Sequence, residues 1–203
     1  MNNVIWAKSG DDIAVADHVA AVVKDGGRSL AISGGTTVTS ILAMLAARVL
    51  PWAGVRILPT DDRCVPHDHF ASNYAALKRA FGPTQSCVEP LSPGMAVAPF
   101  DLVWLGMGLD GHFASLFPGI PLGAADRAAV VEVHPDPLPP EAPFDRLSLN
   151  MAALTATRDL ILVIRGEAKR AVLETALNED SPLPIAGLIK TARPPIWVFW
   201  SKA

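Results

Sequence analysis

The sequence predicts an α/β protein, a doubly wound, mostly parallel sheet with helices on both faces, folded as a single domain. Three observations lead there. Short apolar runs alternate along the chain with longer helical patterns, the order that parallel β-α-β units require. Half of the residues are apolar, ample for a core covered on two sides. The length, 203 residues, suits one sizeable domain.

The elements follow in chain order. Apolar runs mark strands at Val4–Trp6, Leu30–Ser33, Val55–Pro59, Leu102–Leu105, Val130–Val133, Leu160–Ile164 and Ile196–Trp200. Helical patterns fall at Asp12–Lys24, Thr37–Val49, Asn73–Phe81 and Glu167–Ala176. The proline-rich stretch from His134 to Pro143 is expected to be a surface loop, because proline fits neither a helix interior nor a central strand. Pro182–Pro184 reads the same way.

Composition excludes several classes. A net charge of −3 leaves no basic footprint for nucleic acid. No apolar stretch is long enough to span a bilayer. The start, Met1 to Trp6, lacks a signal peptide's basic and apolar regions. Cys64 and Cys87 form neither a C-x-x-C pair nor a disulfide framework. A cytoplasmic location is therefore expected. Oligomeric state is not legible, since surface and core apolar residues look alike in sequence.

Three segments carry chemistry. In the first, Leu30–Ser33 runs into Gly34-Gly35 and then Thr36-Thr37, which opens a helix. A helix amino end has unpaired N–H groups and a partial positive charge, so this turn suits a phosphate. No lysine follows the second glycine, so it is not a Walker A loop. Local sequence leaves a second reading open, an ordinary strand-to-helix turn with a threonine cap.

In the second, Asp61-Asp62-Arg63 follows a strand, a grouping able to hold a polyhydroxy ligand or a phosphate. A solvated turn with one ion pair is the alternative. Cys64, His67, Asp68 and His69 are suitable zinc ligands by type, but nothing marks a fourth ligand elsewhere, and no metal is expected. Ser72-Asn73 reads as a helix cap, with a ligand contact by Asn73 secondary.

The third segment, Gly106-Met107-Gly108-Leu109-Asp110-Gly111-His112-Phe113-Ala114-Ser115-Leu116-Phe117-Pro118, follows a buried strand. Its glycines allow a sharp turn close to a ligand, and such turns at strand carboxyl ends are where open α/β sheets bind. Its G-x-G-x-x-G spacing, with Glu132 further on, also matches a dinucleotide fingerprint. That fingerprint needs a long helix behind the third glycine, and Pro118, Gly119 and Pro121 would stop one after about two turns. His112, with an unperturbed pKa of about 6.5, is suited to proton transfer, with Asp110 beside it. Ser115 lacks the G-x-S-x-G elbow of a nucleophile and is expected to be a helix residue with a structural hydrogen bond. His18, among alanines and valines, is expected to be structural.

Together the segments resemble the 6-phosphogluconolactonase family, in the superfamily that also holds glucosamine-6-phosphate deaminase. The family pattern looks like Ser-Gly-Gly-Ser/Thr-Pro, then Asp-Glu-Arg-x-Val-Pro with a later Ser-Asn, then Gly-Met-Gly-x-Asp-Gly-His-x-Ala-Ser-Leu-Phe-Pro. Here stand Ser33-Gly34-Gly35-Thr36-Thr37, Asp61-Asp62-Arg63-Cys64-Val65-Pro66 with Ser72-Asn73, and Gly106 to Pro118. Arg146-Leu147-Ser148-Leu149 and Gly166-Glu167-Ala168-Lys169 resemble the family's Arg-Ile-Thr-Leu and Gly-x-x-Lys segments. Thr37 replaces the usual proline, and Asp62 replaces a glutamate one methylene longer.

The resemblance implies hydrolysis of 6-phospho-D-glucono-1,5-lactone in the oxidative pentose phosphate pathway, without a cofactor. It implies a phosphate on Gly34, Gly35 and Thr36, with Asp61, Asp62, Arg63, Arg146 and Lys169 as further substrate contacts. His112 would be the general base, oriented by Asp110, with backbone N–H groups of the glycine turn as oxyanion donors. Two rivals share the fold. The deaminase branch carries a glutamate where Phe117 stands, although Asp61 matches the acid that branch uses. A non-catalytic sugar-phosphate sensor is the other.

Overall fold

A computed structural model describes residues 3–120, 127–139, 142–178 and 180–202. In chain order its elements are β1 (Val4–Trp6), α1 (Asp12–Lys24), β2 (Ser29–Ile32), α2 (Thr36–Ala46), β3 (Arg56–Pro59), β4 (Asp61–Arg63), α3 (Asn73–Phe81) and β5 (Cys87–Val88). There follow β6 (Phe100–Leu105), β7 (Val130–Val133), β8 (Arg146–Leu149), α4 (Met151–Thr155), β9 (Thr157–Arg165), α5 (Glu167–Ala176), α6 (Pro184–Thr191) and β10 (Ile196–Ser201).

The larger sheet has seven strands in the order β1-β10-β9-β6-β2-β3-β5, and every pairing in it is parallel. Its central strands are near-continuous apolar runs because both faces are covered. Along β6, Leu102 and Trp104 join one core with Val19 of α1, Ile41 of α2 and Leu77 of α3. Val103 and Leu105 join the other core, with Leu154 of α4, Leu173 of α5 and Leu188 of α6. The doubly wound, mostly parallel architecture expected from the sequence is therefore the one observed.

A smaller antiparallel sheet, β4-β8-β7, stands beside it. Val130–Val133 is a strand, as expected from the sequence, and it pairs with β8, outside the parallel sheet. Pro182–Pro184 was expected to be loop, yet Pro184 opens α6 at the first helical position, where its missing N–H costs nothing. Of the proline-rich stretch, residues 140 and 141 lie outside the described residues, as does Pro121.

Strand order reverses between β2 and β6, which are hydrogen-bonded neighbours. Connections leave β2 toward β3 on one side and β6 toward β9 on the other. A crevice opens at the carboxyl ends of strands at such a point. No described helix is long and apolar enough to cross a membrane.

Candidate active site at the sheet switch point

The crevice is a cleft of about 290 Å³. Gly34, Gly35, Asp61, Arg63, His112 and Lys169 all line it, so all three sequence segments converge there. Of the remaining expected site residues, Asp110 reaches the cleft through His112, while Asp62 and Arg146 turn away from it, as described below. The side chain of Thr36 lies outside what the structure describes.

Helix α2 begins at the cleft. Gly35 is its amino-terminal cap residue, with φ +107° and no side-chain cap hydrogen bond. The cap residue is therefore glycine and not the threonine of the alternative reading, and it offers no side-chain acceptor to the first N–H groups of α2. Gly34 is required for a different reason. A Cβ there would lie 1.9 Å from Asn73 Oδ1, so glycine lets the start of α3 pack directly on the turn. Helix α5, whose first turn carries Lys169, also opens from a glycine with no side-chain cap. Burial lowers the Lys169 pKa, and this lysine makes no ion pair among the described residues.

The Gly106–Pro118 segment forms a compact turn rather than the expected short helix. Gly108 N–H donates to His112 O at 2.8 Å and Gly111 N–H to Gly108 O at 3.1 Å. Ala114 takes φ +47°, between the bridged residues Phe113 and Leu116. The His112 N–H donates to Asp110 Oδ1 at 3.2 Å. Three backbone donors expected to serve an oxyanion are thus engaged within the turn itself.

His112 Nδ1 lies 2.6 Å from Asp110 Oδ1. An aspartate only accepts, so Nδ1 carries a proton, and in the neutral ring Nε2 then keeps its lone pair. The imidazole is about one-third exposed and rests on the Phe117 ring, centroids 4.8 Å apart. Gly108 makes room for this pair. A Cβ there would lie 2.3 Å from both Cε1 and Nδ1 of His112 and 2.6 Å from Asp110 Oδ1.

Asp61 holds the other side. It accepts from Ser115 Oγ at 2.6 Å and from Thr60 Oγ1 at 3.2 Å, which ties the glycine turn to β4. Ser115 has the structural bond expected of it, but in a turn. Arg63 Nη1 donates to Asn73 Oδ1, and Asn73 Nδ2 donates to Asp61 O at 2.7 Å. Ser72, not Asn73, caps α3, so Asn73 has its side chain free to reach into the cleft wall.

Two residues expected as substrate contacts have their side chains engaged by the protein itself. Asp62 is buried, and its carboxylate accepts from Ser72 Oγ and from the N–H groups of Arg63, Asn73 and Tyr74 at 2.6–3.0 Å. It anchors α3 to β4, which the strand alternation dictates, since neighbouring residues face opposite ways. Arg146 is buried on β8, with its guanidinium donating to the carbonyls of Phe144, Ala142 and Asp145. Burial lowers its pKa, and the nearby Arg63 cation adds to that.

Among the described residues, no three His, Cys, Asp or Glu side chains could hold a metal ion. His67 instead packs edge-on against Tyr74, and His69 Nδ1 accepts from Ala71 N–H at 3.1 Å. Far from the cleft, His18 Nε2 lies 2.6 Å from Asp159 Oδ2. The sequence reading missed the cleft's inner wall, which includes Ser33, Val38, Trp104 and Val163. Among the described residues, four buried side-chain polar atoms lack a partner, and three of them, Ser33 Oγ, Arg63 Nε and Trp104 Nε1, belong to cleft residues. Such atoms are rare in folded proteins.

Known proteins share this fold. The model of the family described as glucosamine-6-phosphate isomerases/6-phosphogluconolactonase matches residues 7–92 and 83–197. A 6-phosphogluconolactonase of Caulobacter vibrioides is 33% identical, covering 94% of this chain and 90% of its own. One from Rhizobium meliloti is 30% identical, covering 93% of each. A crystal structure of a 6-phosphogluconolactonase from Shewanella baltica superposes with a TM-score of 0.82 at 25% identity, covering 98% of this chain and 97% of that one. With its cleft at the switch point and its three motifs around it, the chain belongs to the glucosamine-6-phosphate isomerase/6-phosphogluconolactonase family.

Proposed function

We propose that this protein hydrolyses 6-phospho-D-glucono-1,5-lactone to 6-phosphogluconate, the lactone-opening step of the oxidative pentose phosphate pathway. The relatives named 6-phosphogluconolactonase support the substrate. The observation that carries the chemistry is the 2.6 Å His112–Asp110 pair at the rim of a cleft that also holds an uncapped helix end and a cation.

The phosphate sits against the Gly34-Gly35-Thr36 turn, with Lys169 and Arg63 supplying positive charge. Binding this inert end positions the lactone carbonyl. His112 Nε2 takes a proton from water as the water oxygen bonds to C1. The tetrahedral intermediate then expels the ring oxygen, which receives that proton from the imidazolium. Asp110 holds the ring in the required tautomer and favours the imidazolium while it exists. Asp61, tied to Ser115, fixes the glycine turn on which His112 stands.

The test is a pH-controlled assay of freshly made lactone against the spontaneous background. His112→Ala is expected to lower kcat by about 10²–10⁴-fold while 6-phosphogluconate still binds. Equal turnover by that variant would remove His112 from the reaction. The deaminase alternative is weakened by Phe117, an apolar ring against His112 where that branch needs a carboxylate. Ammonia release from glucosamine 6-phosphate would restore it.

A further inference from the structure

Trp104 carries an unexplained group. It stands on β6, fully buried, and its carbonyl accepts from Ser33 N–H at 2.9 Å. It therefore lies directly beside the residue that begins the Gly34-Gly35 turn. Trp104 lines the cleft together with Val38 of α2 and Val163 of β9, with which it shares a core cluster. Neither valine side chain offers an acceptor, and the indole N–H has none. A buried donor left unpaired costs stability, and a phenylalanine at this position would carry no such donor.

We propose that Trp104 Nε1 is a phosphoryl ligand, donating to an oxygen of the substrate's phosphate from beneath the helix mouth. The inference rests on the binding of a phosphorylated ligand proposed above and adds a residue that none of the three motifs contains. The chemistry around the indole selects the partner. An indole N–H only donates, and Ser33 Oγ beside the turn is likewise unpartnered. Lys169 and the bare end of α2 add further donors and positive charge. A phosphoryl group supplies several acceptors and negative charge at once. A neutral sugar hydroxyl would bring its own donor into a wall that has no acceptor for it.

The test compares wild type with Trp104→Phe, which keeps an aromatic ring and deletes the N–H. Affinities for inorganic phosphate and for 6-phosphogluconate are read by calorimetry, and KM is read on phosphorylated and unphosphorylated gluconolactone. Loss of a hydrogen bond to a charged group is expected to weaken both affinities, and raise KM for the phosphorylated lactone, by about tenfold or more. KM for the unphosphorylated lactone stays unchanged. Unchanged phosphate affinity, or an equal loss on both lactones, overturns the assignment. A wild-type crystal soaked in inorganic phosphate tests it without any variant, the expected Nε1-to-oxygen distance being about 2.7–3.2 Å. A phosphate seated away from the indole, or a water on Nε1 with phosphate elsewhere, overturns it. Phosphate found on Nε1 in a protein that opens no lactone would uphold this inference and sink the proposed reaction instead.

Discussion

Gly108→Ala isolates the His112–Asp110 pair, and the catalytic role proposed for it, from the rest of the fold. The added methyl would stand 2.3 Å from His112 Cε1 and Nδ1 and 2.6 Å from Asp110 Oδ1. Ordinary contact begins near 3.4 Å, so the imidazole must retreat by about 1 Å, a displacement that can cost on the order of a hundredfold in rate. Gly108 does not take a positive φ, so alanine adds no backbone strain, and the pair is solvent-accessible enough to move. The expected outcome is kcat lowered about a hundredfold, with the affinity for 6-phosphogluconate and the melting temperature little changed. Gly106→Ala is the control on the same turn, because a methyl there meets only Ser33 Oγ, at 3.9 Å. Wild-type kcat in the Gly108 variant would refute the claim that the reaction depends on where this imidazole stands.

Asp62→Ala should act on stability. It leaves a hydroxyl and three backbone N–H groups without their acceptor, a loss of about 3 kcal/mol and a fall in Tm of roughly 6–12 °C; a Tm equal to wild type would show that α3 is anchored otherwise. Lys169→Met should weaken 6-phosphogluconate binding and also flatten its pH dependence. Burial holds the free lysine's pKa below the ordinary lysine value, and only the protonated form attracts the anion. Wild-type affinity should therefore fall as pH rises through that lowered pKa, and binding should take up protons there. Calorimetry in buffers of different ionisation enthalpy reads the uptake, and identical profiles for wild type and variant would remove Lys169 from the phosphate site.

The parallel sheet, apart from its two-residue edge strand β5, was legible because its strands appear as bounded apolar runs with no neighbour needed to explain them. The antiparallel sheet was not. Asp61–Arg63 shows no apolar alternation, and it is a strand only because β8 pairs with it. On β8 the buried residues include Arg146 and Ser148, which inverts the usual pattern. Their burial is stabilised by carbonyl groups around the guanidinium and by Ser115 N–H at Ser148 Oγ. Helix α6 did have a sequence signal in Pro184, which punctuates a helix start as readily as a loop.

The same logic divides the site. Motif glycines and His112 could be picked out because few other chemistries need those residues in that spacing. Asp62 could not be separated from Asp61, since only strand pleating decides which of two adjacent carboxylates faces the cleft. Trp104 reads as core in any sequence, because its ring is core. Only coordinates reveal an indole nitrogen without an acceptor.

Strand β9 sits between β6 and β10 in the parallel sheet, and Lys169 follows it at the start of α5. A growing chain that has passed the Gly106–Pro118 turn but not residue 165 would hold the His112 imidazole while missing both the strand that flanks β6 and the lysine beyond it. On the proposed mechanism, competence would arrive late in synthesis, once most of the polypeptide is available, and products truncated before residue 165 are expected to open no lactone.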